Sequence, residues 1–344
     1  MLYIRTDMNT QIATGHLMRC LAIADGAKVF GEDTTFLLAD GQAVELIGER
    51  GYHSVVLHTK WNDLDGELEI LERVICENRI KSLLVDSYQV TKHYLQSLSK
   101  LVTVIYIDDL NRFLYPVHTL ICYGDYWRKF HYKEKYSNTN LFLGSKYIPL
   151  RQAFKNQEKK KIKPQVENLL FLSGGTDHFH LLEGFLEKLE KEKYQKIQVI
   201  CGRYYDEYEK LRSQYVDFDH IHFHKGVRHM ENYMMEADLA VSAGGTTLYE
   251  LCACGTPTIS YSFADNQTDT VLQLQEDERI DYAGDVRNTN IFENVMNLLS
   301  LYYDDFQLRE ERSRKMQESV DGKGAERIAR EFMKLSGGDS CGKP

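Results

Sequence analysis

A chain of 344 residues exceeds the ~250–300 at which one hydrophobic core stops growing, and its 43% hydrophobic content can fill two ordinary cores. Its 42 basic and 51 acidic residues leave a formal charge of −9, which excludes a protein that coats nucleic acid with a basic face. An anionic small molecule stays open, because backbone amides at helix N-termini hold phosphate without a basic surface.

The first elements in chain order are a strand at Leu2–Thr6 and a helix from about Gly15 to Phe30. A strand at Thr34–Leu38 and a helix from Ala43 to Arg50 come next, then a strand at Ser54–Leu57 and a helix from Leu64 to Asn78. The strand SLLVD at Ser82–Asp86, a helix from Lys92 to Lys100 and the strand TVIYID at Thr103–Asp108 complete the run. Strands alternating with helices of this length read as βαβ units on a parallel sheet. The pattern pauses in KNQEKKKIKPQVEN, a charged stretch that reads as an interdomain linker. It restarts with the strand and glycine turn of NLLFLSGGTD, a helix from His178 to Glu192, and strands at Lys196–Cys201, Ile221–Phe223, Leu239–Ala243 and Thr258–Tyr261. Helices near Gln267–Gln275 and Ile291–Leu301 follow, and one long helix from Asp305 to Leu335. The plan is therefore an N-terminal Rossmann-like domain over 1–155, a linker over 156–167, a second Rossmann-like domain over 168–302, a C-terminal helix over 303–335 and a tail over 336–344.

The opening MLYIRTD has neither a basic nor an apolar leader region, so no signal peptide is expected, and no apolar run approaches the ~18 residues of a membrane span. The seven cysteines, odd in number and without a Cys-x-x-Cys pair, read as free thiols in a reducing compartment. A cytoplasmic protein without integral membrane contact is expected.

Three glycine turns carry candidate chemistry. In TDMNTQIATGH, Gly15 lets a ligand approach closely and His16 falls in the first turn of a helix, where the dipole favours the neutral imidazole that a general base needs. The same position also suits a histidine that only caps or packs. SGGTD and SAGGTTLYE each follow an apolar strand and open a helix, presenting amides and threonine hydroxyls at the strand ends where open α/β sheets bind ligands. Glu250, a turn into the second of these helices, can accept both hydroxyls of a ribose or simply face solvent. His220, His222 and His224 alternate on one strand face, but no carboxylate or cysteine is spaced to complete a metal site. The aromatic stretch YGDYWRKFHYKEKY reads either as a substrate-side lid or as surface packing.

Taken together and in order, ATGHLMRC, VDSY, IDDL, LGSKYIPLRQAF, LSGGTD, DLAVSAGGTTLYELCACGTP and ADNQ resemble the UDP-2,4-diacetamido-2,4,6-trideoxy-β-L-altropyranose hydrolases of the pseudaminic acid pathway. The second half is also similar to the bacterial peptidoglycan N-acetylglucosaminyltransferase and the wider GT-B group. The resemblance implies an α/β, GT-B-like fold: two facing Rossmann-like domains with parallel sheets and an interdomain cleft, the nucleotide lying mainly on the second. It makes His16 the catalytic base, with Tyr88 and Asp7 as further catalytic residues. Arg5, Gly15 and Asp86 become substrate contacts; Gly175, Thr176, Gly245, Thr246 and Thr247 face the diphosphate; Glu250 binds the ribose; and Asn266 and Gln267 contact sugar or phosphate. Ala13, Ser87 and Tyr249 stand where the family carries a glycine, a histidine and a tryptophan, which puts the identity of the sugar in question.

The expected reaction is hydrolysis of the UDP-sugar at C1 with inversion, His16 taking the proton of water, with no cofactor and no metal. The alternative is a GT-B glycosyltransferase passing the sugar from UDP to a sugar or lipid hydroxyl, and a catalytically silent nucleotide-sugar sensor is a third reading. The expected partner is a small-molecule UDP-sugar, with no nucleic acid; the sequence carries no signal of oligomeric state.

Overall fold

The computed structural model describes residues 1–337 except Thr10, Ala13, Gly175, Thr176, His178, Arg203 and Tyr204, with the side chains of Asn266, Ser336 and Gly337 also set aside. The chain forms two compact units, Met1–Gln152 joined by the stretch from Gly322 onward, and Ala153–Asp321.

In the first unit, β1 (Leu2–Thr6), β2 (Thr34–Leu38), β3 (His53–Val56), β4 (Ser82–Asp86), β5 (Thr103–Ile107), β6 (Thr119–Cys122) and β7 (Asn140–Leu143) form one parallel sheet in the order β3-β2-β1-β4-β5-β6-β7. β2 and β4 are buried along their whole length, whereas the edge strands β3 and β7 are half-buried. Short apolar runs buried on both faces are what a parallel sheet flanked by helices requires. Thr6 is registered opposite Asp86, so the ends of β1 and β4 lie side by side.

In the second unit, β8 (Asn168–Leu172), β9 (Lys196–Cys201), β10 (Ile221–Lys225), β11 (Leu239–Ala243), β12 (Thr258–Ser262) and β13 (Asp281–Asp285) form a second parallel sheet, ordered β10-β9-β8-β11-β12-β13. Its core gathers Leu169, Phe171, Val241 and Ile259 from the strands with Phe185 and Val295 from the helices.

Several sequence expectations change here. β6, β7 and β13 are additional strands, and the helices Tyr208–Gln214 and Met230–Glu236 are additional helices. The single terminal helix is two, Phe306–Ser319 and Gly324–Gly337, broken around Gly322, whose φ of +70° no helix accommodates. The last helix belongs to the first unit rather than standing apart. It packs on the helix Gly15–Lys28 so closely that a Cβ on Gly26 would stand 2.8 Å from the Ala325 backbone carbonyl carbon. The aromatic stretch is core, not lid: Tyr126, Phe130, Tyr132 and Tyr136 join the first unit's apolar cluster, and Tyr132 also donates to Asp108. The charged stretch before β8 is not uniformly solvated either. Lys160 is buried and donates to the Met234 carbonyl at 3.0 Å and to the Met235 carbonyl, at the C-terminal end of a helix.

Candidate active site

Each sheet turns direction once. In the first unit the chain builds outward from β1 through β2 to β3 and then crosses to β4 on the other side; in the second it does the same from β8 and crosses to β11. At such a switch the two flanking loops part over opposite faces, leaving a crevice outside the carboxyl ends of the strands. The loops after β1 and β4 and those after β8 and β11 carry the residues singled out from the sequence.

Asn9 shapes the loop after β1 by accepting the amides of Gln11 at 2.9 Å and Ile12 at 3.1 Å. The helix Gly15–Lys28 then starts, placing His16 and Arg19 one turn apart on the same buried face, each 8% exposed. His16 Nδ1 lies 2.7 Å from Asp86 Oδ1 at the end of β4. Arg19 Nε donates to Asp86 Oδ2 at 2.6 Å, and its Nη2 donates to Oδ1. Burial pushes the Asp86 carboxyl up, but the Arg19 guanidinium and His16 together hold it well below the usual carboxylate range. An ionised carboxylate has no proton to give, so the short contact requires the proton on His16 Nδ1. In the neutral ring Nε2 then carries the lone pair, and no described residue hydrogen-bonds it.

Around this dyad, Arg19 Nη1 donates to Asp109 Oδ2 at 2.6 Å and lies within hydrogen-bond reach of the Tyr123 hydroxyl. Tyr88 donates to the same Asp109 oxygen at 2.8 Å, and its ring meets that of His16 edge to face with centroids 4.4 Å apart. Burial and then Asp109 push the Tyr88 phenol up, so it remains a neutral donor. Asp109 Oδ1 is buried without a partner among the described residues. Nothing in the sequence alone singles out Asp109 or Tyr123 for the site, and Arg19 only by its spacing from His16. The spacing of His16 and Arg19, three apart on one helix, was the available signal.

Arg5 and Asp7 are placed differently from their expected roles. Arg5 is fully buried, its guanidinium forked onto Glu67 (Nε at 2.8 Å, Nη2 at 2.7 Å) and donating to Asp7 at 2.6 Å. Asp7 accepts the Ala39 amide with its other oxygen at 2.7 Å. Glu67 further accepts Tyr94 at 2.7 Å and Thr59 at 3.1 Å. All of these partners are protein groups, so the cluster locks the base of the β1 loop rather than meeting substrate. Gly15 has open space where a Cβ would stand, so among the described residues nothing in the fold demands a glycine there.

In the second unit, the loop after β8 contains Gly174 at φ +85° and Asp177, which caps the helix Leu181–Lys188 by accepting the amides of Leu181 and Leu182 at 3.0 and 3.1 Å. Gly175 and Thr176 lie outside the described residues. After β11, Gly244 leaves no room for a Cβ, which would meet Val271 at 2.8 Å, and Gly245 takes φ +143° beside open space. Thr246 is the N-cap of the helix Thr247–Cys254 but does not spend its side chain on it. Thr246, Thr247 and Glu250 thus lie in the first turn of a helix, where the Leu248 and Tyr249 amides are taken by the Gly245 and Thr246 carbonyls at 3.1 and 3.0 Å. Gln267, expected to touch sugar or phosphate, accepts the Phe263 amide at 3.0 Å through Oε1, and Asn266 shares its helix, Asp265–Glu276, with its side chain undescribed.

Among the described residues, His180, Glu183 and Glu207 bring possible metal-ligand atoms within 4.8 Å of one another. The half-exposed ion pair of His180 with Glu207 at 3.1 Å accounts for their gathering. His224, in the alternating histidines, is bonded to Gln198 at 2.6 Å.

Residues 169–279 match the glycosyltransferase family 28 C-terminal domain. An uncharacterized protein of Methanocaldococcus jannaschii, MJ1062, is 24% identical over 271 residues, 74% of this chain and 54% of that protein. The UDP-N-acetylglucosamine--N-acetylmuramyl-(pentapeptide) pyrophosphoryl-undecaprenol N-acetylglucosamine transferase of Campylobacter jejuni is 33% identical over 118 residues, 32% of this chain and 33% of that enzyme. The chain thus spans about half the length, or less, of these curated relatives. No described helix is long and apolar enough to cross a membrane. The crystal structure of Acinetobacter baumannii MurG is 13% identical and superposes with a TM-score of 0.71, covering 96% of this chain and 99% of that one. The fold is therefore of GT-B type, built from two Rossmann-like α/β units with parallel sheets.

Proposed function

We propose that this chain is a glycosyltransferase that takes a UDP-linked sugar as donor and passes the sugar to a hydroxyl. The observation that carries the reading is the His16–Asp86 dyad at the switch point of the first sheet, with Nδ1 2.7 Å from a carboxylate held ionised and Nε2 without a hydrogen-bond partner among the described residues. As the hydroxyl attacks C1, Nε2 takes its proton, and Asp86 stabilises the imidazolium that forms. General-base help of this kind is worth ~10²–10⁴-fold. The second unit holds the nucleotide: the amides and hydroxyls of Thr246 and Thr247 and the glycine backbone receive the diphosphate, and Glu250 the ribose hydroxyls. UDP is a good leaving group once its charge is met in this way, so the reading assigns no metal. The match of residues 169–279 to a glycosyltransferase domain supports this division of roles.

A second reading makes the attacking hydroxyl water, and the substrate UDP-2,4-diacetamido-2,4,6-trideoxy-β-L-altropyranose, hydrolysed with inversion. One observation favours it: only 10% of the His16 side chain is accessible, which suits a nucleophile the size of water.

UDP release from that substrate and from UDP-N-acetylglucosamine, with and without sugar acceptors, tests both. Release that requires an acceptor and collapses in His16→Ala is the result expected for the transferase. Release without any acceptor turns the reading to hydrolysis, and release unchanged in His16→Ala removes the dyad from the mechanism.

A further inference from the structure

Arg19 stands at the centre of the first unit's charged cluster: its Nη2 also lies 3.0 Å from His16 Nδ1, the ring nitrogen turned to Asp86, and it makes no hydrogen bond to Nε2. Its guanidinium fork takes both oxygens of Asp86, which fixes the plane of that carboxylate, and the oxygen it shares with His16 is the one 2.7 Å from Nδ1. Among the described residues, the one further side chain on Asp86 is the Cys20 thiol, at 3.4 Å from Oδ2, a weak donor that cannot hold the carboxylate plane. The fork is itself aimed from the opposite side, where Nη1 binds Asp109 at 2.6 Å and meets Tyr123. Three strands therefore converge on one guanidinium: Asp86 ends β4, Asp109 follows β5 and Tyr123 follows β6.

We propose that Arg19 is the positioning residue of the His16 base: it orients Asp86 so that His16 is held in the Nδ1-protonated tautomer, with Nε2 free to take a proton. This rests on the reading of His16 as the base. A lysine cannot replace the fork, since an ammonium is a point charge that grips one oxygen at a time. The titratable groups around the pair are Asp86, Tyr88, Asp109 and Tyr123 from the neighbouring strand ends and Cys20 on the same helix. Without the fork, Asp86 rotates, and Nδ1 loses the acceptor that selects its tautomer.

Long-range ¹H–¹⁵N correlation of the histidine rings in the full chain at neutral pH reads this directly and needs no substrate. The His16 signals are assigned by their loss in His16→Gln. Wild type is expected to show a single Nδ1-protonated tautomer, and Arg19→Lys and Arg19→Ala a mixture containing the Nε2-protonated form. With whichever donor the wild type cleaves, both variants lose about a hundredfold or more in kcat while KM and UDP affinity stay within about twofold. An unchanged His16 tautomer in folded variants overturns the proposal, as does a loss confined to UDP affinity. Failure of both variants to fold assigns Arg19 a purely structural role and also overturns it. If the wild type releases no UDP from any donor, the functional reading fails while the tautomer measurement still decides the role of Arg19.

Discussion

At the carboxyl edge of the first sheet, His16, Arg19, Asp86, Asp109 and Tyr88 bind one another inside the protein. The matching edge of the second sheet offers glycines, threonine hydroxyls and the start of a helix to the outside. Both edges sit at the same kind of topological switch, so topology does not account for the difference. A group that must move a proton is useful only if its charge state is settled before substrate arrives, and this takes buried, mutually satisfied partners. A loop that receives a diphosphate brings no charge of its own; it needs amides that stay available and a backbone that glycine lets approach closely. On the proposed reading the first unit is preorganised, and the second would be completed by the diphosphate it receives.

The sharpest way to break this comparison is His16→Ala. If chemistry resides in the first unit, kcat falls ~10²–10⁴-fold, whereas UDP binding measured by calorimetry stays at the wild-type value. A matching loss of UDP affinity would mean that the two units do not divide the work as described.

The charged cluster beneath β1 makes a separate test of what burial is for. The resemblance makes Arg5 a substrate contact and Asp7 a catalytic residue, yet Arg5 is completely buried against Glu67, itself fully buried. Glu67→Gln leaves a buried guanidinium short of its counter-charge. It should cost ~3–5 kcal/mol of stability, read as a drop in melting temperature, since breaking a buried pair strands the remaining charge. Were Arg5 a ligand contact instead, the same variant would alter KM with little effect on melting.

For the second unit, Gly245→Ala probes the backbone rather than a side chain. Open space lies beside the position, but its φ of +143° is one that an L side chain rarely adopts. Relaxing that strain, on the order of 1–3 kcal/mol, should move the amides of the loop and weaken UDP binding about tenfold. The fall should appear in KM before kcat, opposite to His16→Ala.

What could be read from sequence follows the range of the interactions involved. β1, β4, β8 and β11 announce themselves as short apolar runs, and His16, Gly245 and Thr246 follow from the glycine turns behind them, because these signals are local. β6 has four residues, β7 is a half-buried edge, and β13 is the mostly polar DYAGD, so none has a periodicity to display. Arg19 looks like any solvated helix arginine until Asp86 and Asp109, 67 and 90 residues away, are brought to it. The helix Gly324–Gly337 reads as a terminal appendage until Gly26, some 300 residues earlier, lets it pack on the first unit.

Lys160 is the same lesson on a smaller scale, and it adds a pH signature to the second unit. Within EKKKIK it looks like one of several solvated lysines, but its ammonium is buried on the Met234 and Met235 carbonyls, and burial pulls its pKa down to about 8. The unfolded chain holds that proton up to about 10.4. Between these values the unfolded state binds more protons than the folded one, so this group's contribution to stability rises with pH across that window. It is fully present only above the unfolded value and is lost as pH falls through about 8. The slope is at most about 1.4 kcal/mol per pH unit. Denaturant melts of wild type and Lys160→Met at pH 8 and pH 10 should show the wild type gaining on the variant at the higher pH. A constant difference between the two would mean that the Lys160 ammonium is solvated after all, as the sequence alone suggests.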